Sequence, residues 1–383
     1  MILIRVSLFF LILLLLPDWY IYKVYVKQAL APWKKRLYWF PTVLLLLTLM
    51  VFIIARHTLY DAFGTYLVVA LCIAIPKLVF VLSDLLLKMI HRLIRIPLFE
   101  KAVSMGIAII AFGYILFGAI KGKEHFQVKE VTFISPDLPE AFDGYRILQL
   151  SDLHAGSWQG NTQAIQRAID LCNLQKADLA VFTGDLVNSR ADEIKEYMPI
   201  LSQLRAKDGV YSVLGNHDYA TYTHWNSEAE RLANIDTLLA RQENMGWHML
   251  MNEHRVLHRG NDSIALIGVE NSGNPPFPDR ADLPQALKGT EGMFKILLSH
   301  DPTHWRRSVL PETDIQLMLS GHTHDMQVNL FGLSVSRFIY PEHRGMYQEK
   351  GRGLYVNIGL GYVLFPMRLG AWPEITVITL RKK

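Results

Sequence analysis

Five short apolar stretches of this chain each finish in residues that bind metals. Ile147–Ser157 reads ILQLSDLHAGS and sets Asp152 and His154 two residues apart. LAVFTGD finishes at Gly184-Asp185, and VYSVLGNHD at Gly215-Asn216-His217-Asp218. FKILLSHD reaches His300, and IQLMLSGHTHD closes on Gly321-His322-Thr323-His324. Each piece alone is ordinary: D-x-H arises by chance, G-D is a common turn, and a buried His is more often hydrogen-bonded than metal-bound. As an ordered set after apolar runs they point to divalent-metal chemistry, for which carboxylates, imidazoles and a side-chain amide are suitable donors.

The elements that must aim these side chains are strands. A strand is a rigid post, and in open α/β sheets ligands gather at the carboxyl ends of the strands. Residues two apart on an extended chain face the same side, which suits both D-x-H and H-x-H. Glycine before the ligand lets the backbone turn sharply. HFQVKEVTFIS alternates like a half-buried strand. YRILQLS, DLAVFTGD, GVYSVLGN, SIALIGVE, FKILLSH, IQLMLSG, LYVNIG and EITVITL read as further strands, most of them continuously apolar as in sheets covered on both faces. Between two of them, Ala164, Ile165, Ala168, Ile169 and Cys172 recur at helical spacing, with Asn161 or Thr162 as cap. Strands alternating with helices predict an α/β domain.

The first third is different. Leu37–Ala55 and Ala102–Ile120 carry no charge and are long enough to span a hydrocarbon core. Residues 62–87 are apolar but hold Lys77 and Asp84, and residues 2–26 hold Arg5, Asp18 and Lys23. The expectation is about four membrane helices over 2–26, 37–55, 62–87 and 102–120, in a transmembrane region of residues 1–121. A linker and first strand follow over 122–140, and a catalytic domain over 141–383. Lys27, Lys34, Lys35 and Arg36 crowd the first loop, and Lys88, Arg92, Arg95 and Lys101 the third; the second holds only Arg56. The positive-inside rule places the first and third loops in the cytoplasm and everything after the last span outside, although Lys121, Lys123 and Lys129 pull the other way. A net charge of +4 without a basic tract gives no sign of a nucleic-acid partner. Cys72 and Cys172, the only two cysteines, fall in unlike segments and predict no disulfide.

The order D-x-H, G-D, G-N-H-D, H, G-H-x-H resembles that of the calcineurin-like metallophosphoesterase superfamily, over roughly residues 136–380. Within it, LSDLHAG, GDLV, GNHDY and VNIGLG with a later Pro-x-Arg look like the membrane-anchored bacterial phosphoesterases. One departure is GHTHDMQ: many relatives have two glycines where Asp325 and Met326 stand. The resemblance implies an α/β fold in which two mixed β-sheets are sandwiched by helices, here after an N-terminal helical transmembrane region. It implies that Asp152, His154 and His324 hold one metal, that Asn216, His300 and His322 hold the other, and that Asp185 bridges them. His217 is the implied catalytic residue, contacting the phosphoryl group or protonating the leaving oxygen.

Four imidazoles favour Mn, Fe or Zn over Mg, with Mn supporting activity best. Two divalent ions outweigh the two aspartates and a bridging hydroxide, so the site attracts an anionic phosphate. The expected activity is hydrolysis of a phosphodiester or pyrophosphate bond by that hydroxide. The expected substrate is a lipid or cell-envelope phosphate ester, at the bacterial cytoplasmic membrane with the catalytic domain outside. The alternatives are a phosphomonoesterase on protein or nucleotide, a non-catalytic membrane sensor, and a transporter using Lys77 and Asp84. Trp158 and Tyr219 are candidates for the substrate entrance. For His304, Trp305, Arg344 and Arg368 the expectation is packing or surface, and for Asp218 a helix cap or, second to that, orientation of His217.

Overall fold

The computed structural model describes residues 2–29, 31–54, 60–95 and 99–383. Ala55 and Arg56 lie outside the described residues. The chain divides into two compact units, one of residues 1–121 with 364–367 and one of residues 122–363 with 368–383.

The first unit is helical: α1 (Ile2–Ile21), a π turn (Tyr22–Val26), α2 (Pro32–Ile54), α3 (Tyr60–Ile94) and α4 (Glu100–Ile120). Among the described residues three helices are long and apolar enough to cross a membrane: Pro32–Ile54, Ala62–Ile94 and Glu100–Glu124. Helices α2 and α3 run past the apolar stretches, because the charged flanks at Lys34–Arg36 and Lys88–Arg92 stay helical. Among the described residues of this unit the two buried aspartates, Asp18 and Asp84, are paired. Lys77 Nζ lies 2.7 Å from Asp18 Oδ1, and Asp18 also accepts from Tyr38 Oη (2.8 Å) and from Thr42 Oγ1. Asp84 accepts from Lys88 Nζ (2.8 Å), Tyr20 Oη (2.7 Å) and Tyr25 Oη (2.6 Å). Lys77 and Asp84 therefore do not pair with each other. Each instead ties helices together through a fully hydrogen-bonded ion pair, the arrangement a charge inside hydrocarbon requires.

The second unit holds the strands β1 (Gln127–Ser135), β2 (Arg146–Leu150), β3 (Leu179–Phe182), β4 (Val210–Ser212), β5 (Trp247–Met249), β6 (Glu253–Arg259), β7 (Asp262–Gly268), β8 (Phe294–Leu298), β9 (Leu317–Ser320), β10 (Gly345–Glu349), β11 (Arg352–Val356) and β12 (Glu374–Lys382). They form two mixed six-stranded sheets, in the orders β1-β12-β2-β3-β4-β5 and β10-β11-β9-β8-β7-β6. Strands β2 to β5 are parallel neighbours in the first sheet, as are β7, β8, β9 and β11 in the second.

Ile147, Leu179, Val181, Ile264, Leu266, Ile296, Leu298, Leu317 and Leu319 from both sheets close one buried layer. On its outer face the first sheet packs α5 (Thr162–Leu174) through Ala164, Ile165, Ala168, Ile169 and Cys172, the residues that helical spacing selects. Asn161 caps α5, its side chain accepting from Ala164 N at 3.1 Å. Trp305, Val309 and Met318 build the core on the outer face of the second sheet. The expected architecture, two mixed sheets between helices, is borne out.

Candidate metal centre

The predicted ligands follow β2, β3, β4, β8 and β9, and parallel pairing within each sheet brings strand ends to a common edge. The turns there are tight. A Cβ on Gly321 would lie 1.9 Å from Ser151 Oγ and 2.3 Å from Asp152 Oδ2. Gly184 sits at φ +95°, with Gly215 N and His300 Nδ1 pressed against it. Asp152, His154, Asp185, His322 and His324 themselves adopt positive φ, between 48° and 74°. Such backbone costs on the order of 1 kcal/mol or more per non-glycine residue and persists where surrounding structure enforces it, typically at functional sites.

Ligand atoms of Asp152, His154 and His324 lie within 4.8 Å of one another, as do those of Asp185, His300 and His322. His154 Nε2 is 3.0 Å from His324 Nε2, which is 3.2 Å from Asp152 Oδ1. On the other side His322 Nδ1 is 2.8 Å from Asn216 Oδ1 and 3.3 Å from His300 Nε2. Asp185 Oδ2 belongs to both groups, 3.6 Å from His154 Nε2 and 3.2 Å from His300 Nε2. His217 joins at the rim: its ring meets that of His154 edge-on at 4.7 Å, and its amide donates to Asp185 Oδ1 at 2.8 Å. All seven predicted ligands and His217 are thus neighbours in space.

The outer contacts fix the rings. His154 Nδ1 donates to Asn188 Oδ1 (3.1 Å) and His300 Nδ1 to the Thr183 carbonyl (2.7 Å), turning each Nε2 inward. Asn216 donates from Nδ2 to Tyr222 Oη (2.8 Å), so its Oδ1 faces the cluster. His324 is the exception: its Nδ1 accepts from Arg368 Nη2 at 2.9 Å. A neutral His324 ring then keeps its proton on Nε2, and a cation at this corner has to displace it.

Burial pulls His154 well below the ordinary imidazole value, helped by the neighbouring His217, and burial likewise lowers His322 and His324. Burial also pulls on His300, but Asp185 outweighs it and lifts His300 to about 10. Asp152 and Asp185 are held well below the usual carboxylate range: burial opposes this, and the imidazoles of His324 and His300 override it. His154, His322 and His324 thus offer neutral nitrogens and the two aspartates ionised oxygens, while His300 has to give up a proton when a cation binds; with the rings oriented, these residues fit divalent cations.

Several expectations are corrected. Asp218 neither caps a helix nor orients His217. Its buried carboxylate accepts from Asp185 N (2.8 Å), Gly215 N (2.9 Å), Leu186 N (2.9 Å) and Val187 N (3.1 Å), joining the two turns that carry Asp185 and Asn216. Burial and the charge of Asp185 push this carboxyl up to about 7, against the pull of the amides. Trp158 and Tyr219 do not line an entrance: Trp158 packs in the core with Nε1 donating to the Leu153 carbonyl, and the buried Tyr219 donates to Glu270. Arg368 is more than packing: fully buried, it donates to the Gly361, Ile358 and Ala371 carbonyls as well as to His324. His304 and Trp305 are packed as expected, burial holding His304 down at about 4.

Three aromatic residues at the cluster escaped sequence reasoning: Tyr222 stacks on His217 at 4.2 Å, Tyr340 Oη lies 3.0 Å from His322 Nε2, and Phe277 meets His322 edge-on at 4.8 Å. None sits in a metal motif. The only signal is Tyr222, six residues after Asn216.

The pattern of the family described as "Calcineurin-like phosphoesterase" matches residues 145–326. That described as "Probable Calcineurin-like phosphoesterase, transmembrane domain" matches residues 3–123. A transmembrane protein with metallophosphoesterase domain from Danio rerio is 31% identical over 300 residues, covering 74% of this chain and 65% of its own length. The chain therefore spans just under two thirds of that relative. An uncharacterized metallophosphoesterase of Bacillus subtilis is 32% identical over 268 residues, 67% of this chain and 85% of that protein. Another, from Campylobacter jejuni, is 26% identical over 402 aligned positions, 98% of both chains.

Proposed function

Because the chain belongs to the calcineurin-like phosphoesterases, we propose that it hydrolyses a phosphodiester or pyrophosphate bond at this cluster, in a lipid or cell-envelope substrate. Metal-dependent phosphoester hydrolysis and a membrane-embedded region come with the family. The bond, the substrate and the residue roles are our reading. Asp152, His154 and His324 would hold one divalent ion and Asn216, His300 and His322 a second, with Asp185 available to both. The observation that carries this is the single oxygen, Asp185 Oδ2, lying 3.6 Å from a nitrogen of one group and 3.2 Å from a nitrogen of the other.

Bound there, two such ions would supply a water that ionises near neutral pH and positive charge toward the phosphoryl oxygens. The chain's own groups do the rest. The His217 amide fixes Asp185 Oδ1, leaving Oδ2 to face both groups. His217 Nδ1 donates to the Asn188 carbonyl at 2.8 Å and the ring lies against Tyr222, so Nε2 is left free and, in the doubly protonated ring, gives its proton to the leaving oxygen while Nδ1 keeps its own. An imidazole-rich shell favours Mn, Fe or Zn, with Mn the best activator. The lipid reading rests on the apolar helices of the same chain, which raise the local concentration of membrane substrates. The distribution of Lys and Arg among the loops supports a catalytic domain on the outer face of a bacterial cytoplasmic membrane.

The test uses the purified full chain with a chromogenic diester and the matching monoester. The diester should be preferred, chelator should abolish turnover, and Mn should restore it better than Mg. Asp185→Asn and His217→Ala should each lose about two orders of magnitude or more in diester turnover. An Asp185→Asn protein that keeps wild-type turnover rejects the assignment, and preference for the monoester turns it toward a phosphatase.

A further inference from the structure

The segment after His324 inverts the usual order of inside and outside. Its polar residues Asp325, Gln327, Asn329, Ser334 and Ser336 are buried. Its apolar residues Leu330, Phe331, Leu333, Val335, Phe338 and Ile339 are exposed, Phe331 completely and Phe338 at 87%. Isolated exposed apolar residues are ordinary, whereas a contiguous set marks an interaction surface.

The presentation is built in. Leu330 and Leu333 exchange both backbone hydrogen bonds at 2.9 Å, a tight turn that puts Phe331 and Gly332 at its tip. Phe331 stands at φ +55°, a conformation bulky residues avoid, so the exposed ring is held at a cost. The buried residues are the anchor. Asp325 Oδ2 accepts from Asn329 Nδ2 (2.6 Å) and Arg344 Nη1 (3.2 Å), and the Asp325 carbonyl accepts from Ser334 Oγ (2.7 Å). Asn329 Oδ1 accepts from Gly332 N at 2.9 Å. Asp325, Met326 and Gln327 all take positive φ, so the departure from glycine is tolerated in a backbone that glycine would prefer. What Asp325 adds is this anchor. Both ends of the segment adjoin the metal centre, through His324 on one side and through Tyr340, whose hydroxyl touches His322, on the other.

We propose that residues 330–339 insert their apolar side chains into the interface of the lipid bilayer and so hold the metal centre at the level of lipid headgroups. Three observations favour a bilayer as the occupant. The chain has its own membrane helices, and α4 ends at Ile120 while β1 begins at Gln127, so the tether is no longer than about 25 Å of extended chain. The segment from Met326 to Tyr340 contains no acid, and its only charge, Arg337, is exposed. Aromatic and aliphatic side chains with an adjacent cation suit the boundary of anionic headgroups and acyl chains. Insertion is independent of the chemistry proposed above, but its purpose, bringing a lipid phosphoester to the centre, rests on that reading.

The experiment places a nitrobenzoxadiazole probe on Phe331→Cys in the full-length chain carrying Cys72→Ala and Cys172→Ala. The protein is reconstituted into vesicles of phosphatidylcholine and phosphatidylglycerol. The comparison site is Asn261→Cys, an exposed turn position between β6 and β7. The probe at 331 should emit further to the blue and be quenched about threefold or more by acyl-chain nitroxide lipids than the probe at 261. It should also be shielded from iodide present on both sides of the membrane. Equal iodide quenching at 331 and 261, with no nitroxide effect, overturns the proposal and makes the loop a surface for a protein partner. Turnover of the soluble diester is read in the same vesicles. Turnover without insertion sinks the loop proposal alone; insertion without turnover sinks the catalytic reading and leaves the loop standing.

Discussion

Asp218 gathers four backbone amides on one carboxylate, two on each oxygen, and those amides belong to the turns that aim Asp185 and Asn216. Asn in its place can accept on one side only; its NH2 group must face two N–H donors on the other. Each buried group left unpaired costs about 1–3 kcal/mol, so Asp218→Asn should destabilise the catalytic unit by roughly 2–4 kcal/mol and lower its metal content. Thermal melts and metal analysis of the full chain measure both, and an Asn variant that melts and loads like wild type removes Asp218 from this role. The sequence placed Asp218 beside a ligand but concealed its job, because four amides from two turns meet only after folding. The seven proposed ligands and His217 were legible because only a few residue types can serve as donors to a cation, and these recur in order at strand ends. Tyr222, Tyr340 and Arg368 were not: they act by orienting ligands, and an aromatic ring or an arginine reads in sequence as core or surface.

At the scale of elements, the apolar runs that end in ligands were legible as strands since both faces are covered, as Leu179–Phe182 and Leu317–Ser320, buried throughout, illustrate. Strands β5, β6 and β10 were missed. Trp247–Met249 is too short to show a period, Glu253–Arg259 carries charge at both ends on a sheet edge, and Gly345–Glu349 is half-exposed at the other edge. Edge strands need only one covered neighbour, so their composition is free to look like loop. What the site asks of the central strands is close approach at their ends. Gly321 ends β9 against Ser151 and Asp152, with no room for a Cβ. Gly321→Ala should push the H-x-H turn away from Asp152 and weaken metal retention about tenfold or more, with a parallel loss of diester turnover. Metal titration against a competing chelator reads this directly, and unchanged affinity would show that the two turns can separate without cost to the centre.

For the whole molecule, the side on which the catalytic unit works depends on one helix and one loop. Lys88 and Arg92 in the last turns of α3, Arg95 after it and Lys101 at the start of α4 cluster at one helix junction, and only α4 separates that junction from the catalytic unit. Gaining or losing α1 as a span therefore changes where the N-terminus lies, not where the catalytic unit lies. Lys88 is engaged with Asp84 within the helical unit, which sets Arg92, Arg95 and Lys101 apart as the orienting charges to alter. Against them stand Lys121 and Lys123 just beyond α4. Basic residues that flank short loops weigh most in orientation, so the loop of three should hold the cytoplasmic side. Fusing alkaline phosphatase after Lys383 should give an active reporter, and fusing it after Lys101 should give an inactive one; a green fluorescent reporter should show the opposite pair. Neutralising Arg92, Arg95 and Lys101 together should erode that difference, since Lys121 and Lys123 would then be the stronger pull. A C-terminal phosphatase that is silent in the unaltered chain, with fluorescence in its place, would put the metal centre in the cytoplasm and limit its substrates to phosphate esters of the inner leaflet or the cell interior.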